Sequence, residues 1–143
     1  DLLTNESSMW RAIDARTGDL ILPNGSGTTP YAVRVTNNAS NTDPYTLKFI
    51  GTNIFNTQAS ASFPVSSQAL NVLRKLAIWL PLDIWTENTM GRSNINASSE
   101  ETVMSRGGHF SEGEGANIFS LRLGDNRSLS ANILGSRPAY YKP

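Results

Sequence analysis

The chain has 143 residues, with 12 Lys+Arg set against 12 Asp+Glu and no cysteine. That length suits one domain able to bury about two thirds of the surface its unfolded form exposes. The missing cysteines exclude disulfides and thiolate metal sites, and the balanced charge offers no arginine-rich segment to a nucleic acid. No apolar run approaches the roughly 18 residues of a membrane-spanning helix, so no membrane insertion is expected. Only 17% of residues are charged, and Asn, Ser and Thr supply much of the polarity. Such a surface correlates with an extracellular, virion or cell-surface location. The chain opens with Asp1 and without a signal-like apolar stretch, which reads as a processed chain or a piece of a longer one.

Taken in order, residues 1–8 are polar enough to read as an arm or linker, leaving residues 9–143 as a single β-sandwich domain. Residues 9–14 alternate, residues 16–19 offer turn chemistry, and residues 20–22 resume the apolar pattern; this reads as a β-hairpin. Residues 23–30 (PNGSGTTP) are a loop by composition. Residues 31–36 form a strand, residues 37–44 a second polar loop, and residues 45–50 another strand with Tyr45, Leu47 and Phe49 on one face and Gly51 as its end. Short strands are expected around Ile54-Phe55 and residues 61–63. Ser66 and Ser67 offer caps for a short helix over residues 67–74, where Leu70, Leu73 and Leu76 recur at helical spacing.

Residues 69–85 hold two of the three tryptophans and the longest apolar run. From Leu76 to Trp85 the pattern alternates, with apolar residues on both faces. That is the signature of a strand buried on both sides, and it is expected to be the central one. Residues 86–101 show no periodicity, and a stretch of that length inside a compact domain is often functional. Residues 102–105 read as a strand. Residues 117–123 put Phe119, Leu121 and Leu123 inward, residues 124–127 turn the chain, and residues 128–134 return it. The whole is expected to be all-β, an antiparallel β-sandwich or jelly roll with at most one or two short helical turns.

Chemistry-bearing residues are sparse. His109 is the sole histidine, so no His-rich zinc site forms, and no G-x-S-x-G elbow is present for a hydrolase triad. It sits in a glycine-rich stretch with Arg106, Glu112 and Glu114. Together with Asn94 and Asn96 from the long polar stretch, these are the candidate ligand-binding residues; no catalytic residue, metal or cofactor is assigned. Residues 14–19 resemble a calcium loop loosely, but Ala15 and Thr17 break the alternation of oxygen ligands, which favours a plain turn. Asp83, inside the apolar run, reads as the exposed end of a strand. Trp79 and Trp85 read as core, whereas Trp10, Tyr140 and Tyr141 are freer to be exposed. N-x-S sequons at Asn5, Asn24, Asn38, Asn96 and Asn126 fall in segments read as loops or turns.

The expected function is therefore that of a non-catalytic attachment or structural β domain of a virion fibre, capsid or pilus. Its polar loops would meet a host receptor or glycan, and self-association, for instance as a homotrimer, would accompany that role. The alternatives are a small-ligand-binding β-barrel with residues 107–115 as a lid, and a secreted carbohydrate-active hydrolase drawing on Asp83, Glu87, Glu112 and Glu114.

Overall fold

The computed structural model describes residues 1–6, 9–52, 55–61, 64–79, 93–94, 101–107 and 121–126. These residues are mostly strand, with one short helix. Strands β1 (Leu2–Glu6), β2 (Met9–Ile13) and β3 (Leu20–Ile21) open the chain, followed by β4 (Arg34–Thr36), β5 (Thr46–Thr52) and β6 (Phe55–Ala61). Helix α1 (Ser67–Lys75) comes next, then β7 (Ser93–Asn94), β8 (Thr102–Arg106) and β9 (Leu121–Asn126). Six strands form one sheet in the order β3-β2-β1-β8-β9-β7, and β4-β5-β6 form a second. Neither sheet closes into a barrel among the described residues.

The expected hairpin over residues 9–22 is present, with Ala12 opposite Ile21 and Ile13 opposite Leu20. The expectation of purely antiparallel sheets is corrected: β1 pairs parallel with β8, β4 with β5, and β7 with β9. Alternation along a strand reports which faces are buried but not which way the neighbour runs.

Residues 1–6 of the expected arm do not stand apart. They supply β1, which lies between β2 and β8, and both Leu2 and Leu3 are buried. Consecutive residues point to opposite faces of a strand. Leu2 accordingly joins a core with Ile13, Leu47, Phe49, Leu73 and Leu121, while Leu3 joins a smaller one with Ala12 and Ala32. β1 is thus buried on both faces, as is the end of β2, where Ala12 lies in the smaller core and Ile13 in the larger. Trp10, expected to be freer, packs against the smaller core.

Helix α1 begins where expected. Ser66 is its N-cap, its hydroxyl accepting from the Ala69 amide at 3.1 Å, and Ala69 and Leu73 face the core. The exit corrects the expected strand start at Leu76. Ala77 takes φ +51°, the Ala77 amide donates to Arg74 O (2.8 Å) and the Ile78 amide to Leu73 O (2.8 Å). This is the Schellman pattern, with alanine where glycine is usual and with Ile78 buried in the same core as Leu73. Trp79 is buried as expected and meets Phe49 edge-to-face, 5.4 Å between centroids. The remainder of the expected central strand, residues 80–85 with Asp83, lies outside the described residues.

At the other end of the chain, β9 runs through residues 124–126, where a turn was expected, and pairs antiparallel with β8. Leu121 and Leu123 face inward as the alternation implied. Asp125 continues the same buried face, where it meets Arg122 at 2.9 Å and the Ser105 hydroxyl at 3.2 Å. An acidic residue on an inward face disguised the strand as a turn. The expected return strand over residues 128–134 lies outside the described residues.

Candidate recognition site

Two loops and one turn converge beside the hairpin, and the backbone that joins them is strained at two tyrosines. Tyr31 and Tyr45 both take φ +63°. That region is costly for bulky side chains, and such outliers persist only where the surroundings over-determine them. Here the surroundings do so. Tyr31 O accepts from the Ala15 amide at 2.8 Å, and Tyr45 O accepts from the Arg34 amide at 2.9 Å. The Ala32 amide donates to Thr29 O at 3.2 Å, closing a turn with Pro30 and Tyr31 at its centre. Proline followed by a residue of positive φ is the type II arrangement, in which glycine or asparagine normally takes the second central place. Tyr45 likewise follows a proline, Pro44. It stands where the chain re-enters a parallel pairing after residues 37–45, a return shorter than the dozen or so residues such crossovers ordinarily take.

The strained backbone places the two rings 5.9 Å apart in an edge-to-face pair. The Arg16 guanidinium lies over the Tyr31 ring, 3.5 Å from its centroid. Cation and ring attract at that range, and the planar guanidinium suits a stacked position. Asp14 holds Arg16 in place: one carboxylate oxygen accepts from the Arg16 amide (2.8 Å) and Nε (3.2 Å), the other from Nη2 (2.9 Å). This fork keeps the Asp14 carboxyl below its ordinary pKa, chiefly through the Arg16 side-chain hydrogen bond, and raises that of Arg16. The outer side of the assembly meets solvent. Tyr31 is 45% exposed and the Arg16 side chain 48%, whereas the Asp14 side chain is only 7% exposed.

The turn carrying Arg16 is itself wedged against the helix. Gly18 takes φ +81°, and a Cβ there would stand 3.2 Å from the backbone of Gln68 and Ala69. Both requirements select glycine. Above it, the loop of residues 23–30 is tied by its own side chains. Asn24 Oδ1 accepts from the Ser26 amide (3.0 Å) and the Thr29 hydroxyl (3.3 Å), while Asn24 Nδ2 donates to the Thr28 hydroxyl (2.8 Å). Two buried carboxylates hold the same loop from beneath: Glu101 accepts from the Gly25 amide (2.8 Å) and Asp1 from the Thr29 amide (2.7 Å). In the loop of residues 37–45, Asn38 and Asn41 accept from the amides two positions on, at Ser40 and Asp43. These local bonds are what Asn and Ser contribute to turns.

The residues singled out from sequence fare differently. Arg106 ends β8, and its Nη2 donates to Leu76 O (2.5 Å) and Ala77 O (2.7 Å). It therefore completes the exit of α1, and burial lowers its pKa. Asn94 lies in β7 opposite Arg122, across the start of β9 from Arg106. Asn96, His109, Glu112 and Glu114 lie outside the described residues. The calcium-like stretch is occupied by the Asp14–Arg16 fork, and among the described residues no three acidic or histidine side chains gather as metal ligands. The platform of Arg16, Tyr31 and Tyr45 was not anticipated. Its one trace in sequence is the repeated Pro-Tyr pair, at residues 30–31 and 44–45.

A partly exposed assembly of one guanidinium and two phenols, beside loops that carry hydroxyl and amide groups, can present π-surface and hydrogen-bond donors together. Comparison of the chain with protein-family models, curated proteins and solved structures finds no match.

Proposed function

We propose that this chain is a non-catalytic recognition domain, an attachment or structural module of a virion, pilus or similar surface assembly that meets a glycan through the Arg16–Tyr31–Tyr45 platform. The carrying observation is backbone strain at two touching tyrosines, Tyr31 exposed and Tyr45 seated against the core, held by hydrogen bonds that a purely structural turn would obtain more cheaply with glycine. In this reading the two sheets are the layers of a β-sandwich or jelly roll. The shared core of Leu2 and Leu123 from one sheet with Leu47 and Phe49 from the other supports that layering. Asp14, Glu101 and Asp125 each accept from a fixed donor within the fold, so these three are not poised for proton transfer.

A glycan array probed with the intact chain tests the reading. At least one glycan should bind without being cleaved, and Tyr31→Asn, which tolerates positive φ but lacks the ring, should weaken that binding by about tenfold or more. Cleavage of a bound glycan, or binding indifferent to Tyr31, would remove the proposal.

A further inference from the structure

Resting on that reading, we infer that the platform selects uncharged sugars over carboxylated or sulfated ones. The platform's charge is already matched. Arg16 is the platform's only cation, and its Nε and Nη2 are engaged by Asp14 at 3.2 and 2.9 Å. The acids of residues 14–45, which build the platform and both loops, are Asp14, Asp19 and Asp43 and the bases Arg16 and Arg34; Lys48, just beyond, reaches Ala39 O of the second loop at 3.5 Å, so acids and bases balance at three each. Arg34 in turn faces the buried Asp1 carboxylate at 3.6 Å. Asp19 and Asp43 are exposed, so the adjoining loops hold no surplus of positive charge.

An anionic sugar arriving here would compete with Asp14 for a cation already bound bidentately, and would find no net positive charge in the adjoining loops to offset its lost hydration. A neutral pyranose meets no such opposition. Its C–H face suits the exposed aromatic and guanidinium surface. Its hydroxyls suit the rim groups and Arg16 Nη1, which carries no hydrogen bond among the described residues. Asp14 is thus a positioning and selectivity residue: it orients the guanidinium over Tyr31 and cancels its charge.

The test pairs neutral oligosaccharides with their sialylated or sulfated counterparts on one array, read with the wild-type chain and with Asp14→Asn, Arg16→Lys, Tyr31→Asn and Tyr31→Phe. The wild type should prefer the neutral member by about tenfold or more, with little dependence on salt because no net charge is neutralised on binding. Tyr31→Asn and Arg16→Lys should lose the neutral ligand, whereas Tyr31→Phe should keep it. Asp14→Asn, which frees the guanidinium charge, should narrow or reverse the preference. Equal or stronger wild-type binding of the acidic member, still lost in Tyr31→Asn, would overturn the selectivity while leaving the recognition site standing. Binding of either class that none of the four variants alters would overturn both. Should Tyr31→Asn fail to fold, Arg16→Lys against Tyr31→Phe decides the same question.

Discussion

Ala77 and the pair Tyr31/Tyr45 carry the same backbone conformation for different reasons. At Ala77 the positive φ belongs to the exit of α1, where two amide–carbonyl bonds and the Arg106 guanidinium satisfy the last turn. Its methyl side chain has no evident part in the arrangement, and glycine would serve as well. At the tyrosines the rings are the point of contact: they touch each other, and one carries a guanidinium. Strain becomes informative about function when the strained residue's side chain has a use that glycine would abolish.

The largest test concerns how firmly the helix exit is built into the core. Phe49→Ala removes the ring that Trp79 packs against just beyond that exit, and should lower the free energy of unfolding by about 3–5 kcal/mol in denaturant titration. Ala77→Gly should raise stability by about 0.5–1 kcal/mol, because relief of left-handed alanine exceeds the added freedom of the unfolded chain. Glycine at Tyr31 relieves the same backbone but forfeits the ring contacts, so stability and glycan binding should both fall. A stabilised Tyr31→Gly that still binds would erase the distinction between the two sites.

The smallest effect is a pH dependence. Asp14 has a folded pKa depressed by Arg16, so its contribution is fully present above the ordinary carboxylate range and is lost as pH falls through the lower folded value. Thermal melts from neutral to strongly acidic pH should show this part of the acid slope in the wild type and lack it in Asp14→Asn. An identical slope in both would mean that the fork does not bind Asp14 differently in the folded chain.

Much of the architecture is legible in the residues. The hairpin over residues 9–22, the helix after Ser66, the strand after Glu101 and the inward faces of Leu121 and Leu123 all follow from periodicity and capping. What misled is equally physical. Leu2 and Leu3 are too short an apolar run to announce a central strand, and Asp1, Asn5 and Glu6 around them look like a tail. The alternation after Leu76 is also compatible with a Schellman exit, and alanine at the αL position withholds the glycine that would have signalled it. Asp125 hid the end of β9, because a buried carboxylate is readable only once its Arg122 and Ser105 partners are known. The platform was hardest to see: it depends on three residues brought together by turns, and neither tyrosine advertises a positive φ. Arg106, singled out for a ligand, donates to two carbonyls at the helix exit.

The position of β1 also bears on how the chain is made. β1, β2 and β3 are adjacent in sequence and can assemble as soon as the opening stretch emerges, yet the remaining edge of β1 is covered only by β8, with Leu2 opposite Thr102. A growing polypeptide therefore holds an unsatisfied row of amides and carbonyls beside two buried-to-be leucines until its later part is synthesised. Closure across so large a loop is slow, and the waiting edge is a template for wrong partners. Yield on recombinant expression should consequently depend more on chaperone supply and growth temperature than on the stability of the finished fold.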